Sequence, residues 1–167
     1  MVPSRRRKVV ERQLALRERL WPKVSEEKLW IRQDRVGKYK AGFTTMPKTI
    51  PLILDIMDDL ANGKRVSKTY LELWCRAFDE CFVTLSNRGD LAFYSGFAGQ
   101  RGERTWVGRM RLLHKLKFID IKPGPSGELS YALIWNPYHV IKSHHKARTP
   151  GLTEAKYNAL LARASEI

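Results

Sequence analysis

Residues 103–118 read ERTWVGRMRLLHKLKF. Trp106, Met110, Leu113 and Leu116 recur at helical spacing, which predicts an amphipathic helix. With Arg104 set at 0° and about 100° per residue, Lys115 falls at about 20°, Gly108 at about 40° and Arg111 at about 340°. Arg101, were the helix extended back, lies at about 60°, and Thr105 at about 100°. The apolar arc runs from Leu112 at about 80° through Leu116 and Leu113 to Trp106 and Met110 near about 200–240°, with His114 on its far boundary. One side is therefore built for burial and the opposite ridge is cationic. Gly108 lowers helix stability by about 0.5–1 kcal/mol relative to Ala. Either a partner approaches the backbone closely there, or a neighbouring helix crosses tightly.

After the helix comes FIDIKPGPSGELSYALIWNP, residues 118–137. Phe118 to Lys122 reads as a strand, and Leu129, Tyr131, Leu133 and Trp135 alternate with Ser130, Ala132 and Ile134 at strand periodicity. PGPSGE between them reverses the chain, which predicts a hairpin. Before the basic helix, TIPLILDIMDDLANGK predicts a helix with Ile53, Ile56, Met57 and Leu60 inward and Gly63 as its C-terminal cap. Asp55, Asp58 and Asp59 fall on its other side and read as a solvated face. SKTYLELWCRAFDECFVTL predicts one long helix over 67–85 with Ser67 as N-cap. NRGDLAFYSG predicts a short helix with Leu91, Ala92 and Tyr94 inward. Phe97 to Gly102 is a turn.

The order is helix, helix, turn, basic helix, hairpin. Over residues 67–136 it resembles the winged helix-turn-helix superfamily. Leu112-Leu113-His114-Lys115-Leu116-Lys117-Phe118-Ile119 is similar to the end of a recognition helix running into a wing, with Lys117 standing where Gly is common. The general style is similar to that of plasmid and mobile-element proteins, replication initiators included. The fold expected is mainly α with a small β-hairpin: a winged helix-turn-helix core with N- and C-terminal helical extensions. What the resemblance implies is double-stranded DNA binding. Arg104 and Arg111 would fork onto guanine O6 and N7 or onto phosphates, and Lys115 would meet a phosphate. Arg101 and the first amides of the helix would hold phosphates, Thr105 a phosphate or a thymine methyl, and Lys122 a phosphate. The hairpin tip has no cation and carries Glu128, so it is poorly suited to a minor groove.

Global charge points the same way. Lys and Arg number 31 against 17 Asp and Glu, a net of +14. Such an excess repels itself and anticipates a polyanion, nucleic acid first and an anionic membrane surface second. Residues 1–40 alone hold thirteen Lys or Arg against five Asp or Glu, a net of +8. Val9 or Val10, Leu14, Leu16 and Leu20 predict a loosely amphipathic helix that Pro22 interrupts after Trp21. Arg5, Arg6 and Arg7 are either an arm for phosphates, mobile up to residue 8 without them, or a solvated end. Residues 36–47 read as a connector. The divisions expected are a basic helical arm and linker (1–45), the winged-helix domain (46–138), and a basic linker with a C-terminal helix (139–167). His144 and His145 belong to that linker as phosphate contacts or as plain spacer. Thr153 is a good N-cap for the last helix, whose Leu160, Leu161 and Ala164 pack on the domain or across a two-fold axis, making a homodimer possible.

No apolar run approaches the roughly 18–20 residues that span a bilayer, so no membrane partner is expected. Cys75 and Cys81, placed on the 67–85 helix, diverge by about 240°. Neither a disulfide nor a shared metal is expected, and a cytoplasmic location is. The four His residues lack ligand spacing. No P-loop, dinucleotide fingerprint, H-E-x-x-H or G-x-S-x-G occurs, so neither catalysis nor a cofactor is expected. Three alternatives to duplex binding remain: a protein-interaction module with Trp106, Tyr94 or Trp135 in an exposed aromatic patch, an RNA-binding protein, and a small basic nuclease.

Overall fold

The computed structural model describes residues 4–31, 38–39, 41–78 and 80–166. The chain divides into two compact units, Met1–Phe43 and Thr44–Ile167. The described residues form seven α-helices and a three-stranded antiparallel sheet, so the class is mixed α/β rather than mainly α with a lone hairpin.

In the first unit, α1 runs from Ser4 to Leu20 and ends ahead of Pro22 as predicted. Arg5, Arg6 and Arg7 lie in its first two turns, so their backbone is helical rather than a free arm. Met1 to Pro3, the rest of the predicted arm, lie outside the described residues. Val9, Val10, Leu14, Leu16 and Leu20 all stay exposed. Ser25 Oγ accepts from the Glu27 amide (3.3 Å) and caps a single 3-10 turn over Glu26–Lys28. Trp30 packs on Phe43 with ring centroids 5.0 Å apart. Val36, Gly37 and Lys40 of the predicted connector lie outside the described residues.

The second unit opens with α2, Ile50–Leu60, whose Ile53, Ile56, Met57 and Leu60 are buried. Gly63 turns the chain with φ +74° and its amide bonds Asp58 O (2.9 Å). Of the three aspartates, Asp55 is exposed as expected, whereas Asp58 and Asp59 are half-buried and held by other segments. Asp58 accepts from the Val66 and Ser67 amides (2.8 and 2.9 Å) and from Ser67 Oγ (2.8 Å). It thereby caps α3 (Ser67–Arg76) from another helix, and Ser67 is the first helical residue rather than the N-cap. Asp59 bonds Lys156, with Asp55 3.9 Å from the same ammonium.

The predicted 67–85 helix breaks at Arg76. Phe82-Val83-Thr84 leaves it as strand β1 and pairs with β3. The aromatic and β-branched triplet suits a pleated surface, and pairing satisfies a sheet edge that a continuing helix would leave open. Cys81 takes the corner at φ +57°. The two cysteines thus share no helix, so no angular separation about one axis relates them; both are exposed and neither is in a disulfide.

Helix α4 (Arg88–Tyr94) buries Leu91 and Ala92 and leaves Tyr94 exposed, against expectation. Helix α5 (Gly102–Lys115) follows, then β2 (Ile119–Gly124) and β3 (Gly127–Ile134). Strand β3 is central, in the order β1-β3-β2. Ala132 and Ile134 face the core with Val83 and Ile119, while Tyr131 stacks on Phe82 at 5.6 Å. Ser130, also buried, locks the hairpin: its Oγ donates to Gly127 O (2.7 Å) and accepts from the Ser126 amide (3.0 Å).

Residues 137–146 form a helix, α6, where a linker is predicted. Pro137 starts it, Asn136 caps it (3.0 Å to the Tyr138 amide), and Val140 and Ile141 are buried. Only two strongly apolar side chains enter the core, which hides the helix among polar neighbours. His144 and His145 are structural. His144 Nε2 donates to Leu116 O (2.7 Å) and Nδ1 meets Thr149 Oγ1 (2.9 Å), pinning α6 to the end of α5. His145 stacks on Tyr157 (3.8 Å) and lies 2.7 Å from Glu154, joining α6 to α7 (Glu154–Ser165). Thr153 caps α7 as predicted (3.2 Å). Tyr157 and Leu160 enter the core while Leu161 stays exposed.

Helix α5 ends in a left-handed cap. The Lys117 amide bonds His114 O (3.0 Å), the Phe118 amide bonds Leu113 O (3.1 Å), and Lys117 has φ +67°. The same cap after α4 uses Gly96. Lys117→Gly is expected to raise stability by about 0.5–1 kcal/mol, because glycine enters this region without strain. A urea midpoint that stays put or falls would contradict this.

Candidate nucleic-acid interface

Helix α5 is anchored from behind. Trp106, Met110 and Leu113 are fully buried, and Leu116 nearly so. Full burial of such side chains contributes about 1.5–3 kcal/mol each, far more than one exposed charge contributes. The apolar arc therefore decides how the helix lies, and the ridge opposite faces out by default. Arg101, Arg104, Gly108, Arg111 and Lys115 are all exposed. Thr105 is half-buried on the flank beside Trp106.

Few carboxylates answer these cations. Arg111 Nη2 lies 3.6 Å from Glu128 Oε2, with both side chains largely exposed. No carboxylate of the described residues lies in ion-pair range of Arg101, Arg104 or Lys115. Lys122 Nζ is 3.8 Å from Asp120, which also meets His114 Nε2 at 3.2 Å. Exposed pairs of this kind contribute about 0.2–1 kcal/mol, little enough for a phosphate to displace. Glu128→Gln is expected to raise duplex affinity by up to about fivefold by releasing Arg111. A titration that shows weaker binding by this variant would contradict the role given to Glu128.

The tip of the hairpin is held in place. Arg88 Nη2, at the start of α4, donates to Ser126 O (2.7 Å). Arg109 lies over Phe97 (5.7 Å) on the inner side of the helix and is not part of the ridge. Arg7 is exposed and 3.2 Å from Glu11 within α1; the side chains of Arg5 and Arg6 lie outside the described residues. Sequence reasoning places Arg101, Arg104, Gly108, Arg111 and Lys115 on one side, and the structure brings them together there. It missed Arg88, which has no sequence signal for a partner 38 residues away. Lys117, exposed just beyond the ridge, was also missed, because its left-handed backbone takes it off any helical wheel.

Gly108 distinguishes the two explanations left open for it. A Cβ built there meets no atom of the described residues within 4 Å, so none of their helices crosses tightly. At Gly102, on the same helix, a Cβ would run into the Phe97 carbonyl, and packing demands glycine. The rival aromatic patch also loses a member: Trp106 is fully buried, while Tyr94 and Trp135 are exposed.

Among the described residues no group of His, Cys, Asp and Glu is placed to hold a metal. None of their helices is long and apolar enough to cross a membrane. Comparison with protein-family models, curated proteins and solved structures gives no match to the chain.

Proposed function

We propose that this chain binds double-stranded DNA, with α5 as the recognition helix of a winged helix-turn-helix core and β2–β3 as its wing. The observation that carries this reading is the ridge: Arg104, Gly108, Arg111 and Lys115 exposed on one side of α5 with Arg101 at its N-cap, where among the described residues Arg101, Arg104 and Lys115 have no ion pair and Arg111 is weakly held. A helix of about 10–12 Å diameter matches a major groove about 12 Å wide. The three buried side chains behind it supply the rigid mounting that base reading needs. The +8 of residues 1–40 adds sequence-independent attraction to phosphates. Phosphate contacts set position, and the arginines of α5 set sequence preference. The biological role that fits is a transcriptional regulator, or a replication or maintenance factor of a mobile element. A homodimer across α7 has Leu161 as the large apolar residue left outward for it.

Two measurements test the reading. Protein purified without nuclease treatment should carry nucleic acid, visible as a raised 260/280 absorbance ratio. With purified full-length chain, Arg104→Ala or Arg111→Ala should lower preference for a selected duplex site by about 1–3 kcal/mol. Deleting residues 1–8 should weaken binding to all sequences alike. Tighter binding to single strands than to duplex would favour the RNA-binding alternative and sink this one.

A further inference from the structure

We infer that α5 approaches the DNA most closely at Gly108, so that Arg104 and Arg111, flanking it, read base pairs about three steps apart. This rests on the duplex-binding reading above and adds a contact point and a spacing to it. Gly108 has helical backbone and an empty Cβ position, so nothing in the described structure calls for glycine. Among the described glycines it alone has neither a left-handed backbone nor an atom within 4 Å of that position. Alanine would fit and would strengthen the helix. What the missing methyl permits is approach from outside, at the centre of the exposed ridge.

The dimensions make one methyl group matter. The groove and the helix have nearly the same width, so the helix seats only as deeply as its outermost side chains allow. With glycine at the apex the backbone itself meets the floor of the groove. Arg104 is four residues before this point and Arg111 three after it. Their separation along the axis is about 10.5 Å at about 1.5 Å per residue. Base pairs rise by about 3.4 Å, so the two guanidinium forks meet positions about three steps apart. Guanine O6 and N7 match each fork. The pair beneath Gly108 is read by contact rather than by a side chain. Lys115, a further turn along, leaves the floor and meets the phosphate wall.

Gly108→Ala tests this with readouts of opposite sign. The melting temperature of the full-length chain should rise by a few degrees. Duplex affinity should fall about tenfold or more, because the methyl lifts the helix from the groove. Selection from a random duplex library should yield a site with two G·C pairs about three steps apart, one flattened by Arg104→Ala and the other by Arg111→Ala. Wild-type duplex affinity in Gly108→Ala, or a selected site without that spacing, overturns the inference and leaves the duplex-binding proposal standing. If the wild-type chain binds no duplex, both fall together.

Discussion

Duplex affinity should drop about 10³-fold when salt rises from 50 to 200 mM. Each phosphate neutralised by a Lys or Arg releases about 0.9 counterion from B-form DNA. The ridge offers Arg101, Arg104, Arg111 and Lys115, with Lys122 beyond it and the α1 arginines in the other unit. About six contacts over a fourfold change in salt give that factor. The ion pairs within the protein do not change the estimate much, since those of Arg111 (3.6 Å), Lys122 (3.8 Å), Arg7 (3.2 Å) and Arg17 (3.9 Å) are all solvent-accessible and such pairs contribute only about 0.2–1 kcal/mol. Fluorescence anisotropy with a labelled duplex across a salt series measures the slope directly. A flat response would mean that the exposed cations do not meet phosphates, and the proposed interface would have no basis. A steep slope in Gly108→Ala as in wild type, with a lower affinity throughout, would separate the depth of seating from the electrostatics.

Trp106→Ala should cost about 3–5 kcal/mol of folding free energy, a third or more of what a domain of this size usually has. Among the described residues Trp106 is the largest fully buried side chain, and its indole N–H finds no hydrogen-bond partner among them. The loss is therefore one of packing: the removed ring leaves a cavity in the core cluster that also holds Met110 and Leu113, which relaxes only in part. Urea unfolding gives the value. A cost below about 1 kcal/mol would mean that the ring is exposed in solution, as the aromatic-patch reading requires. DNA binding should fall mainly through the unfolded fraction, so a stabilising osmolyte should recover part of it. The two experiments address opposite sides of one helix, the first its charge and the second its anchor.

The character of α5 is legible from sequence because its signal is periodic. An apolar arc opposite a cationic ridge can be read residue by residue, and burial of Trp106, Met110 and Leu113 turns that arc inward. The hairpin is legible for the same reason, through alternation along β3 and a Pro/Gly turn. Where the signal is not periodic the reading fails. Phe82-Val83-Thr84 continues a helical pattern in sequence but becomes strand, since its partner is β3, some 50 residues later. Residues 137–146 look like a polar linker because only Val140 and Ile141 among their strongly apolar side chains enter the core. Asp58 looks solvated because its task, capping α3, is visible only once two helices are side by side.

By itself the chain of letters determined that one helix side must be buried and the other left cationic, since hydrophobic spacing is a local property. Only the tertiary structure decided that, among the described residues, Glu128 is the one carboxylate brought to the ridge and no helix crosses it at Gly108, because both depend on what distant segments bring near. Gly108 shows the division: its cost to the helix is written in the sequence, and the empty space above it is a property of the fold.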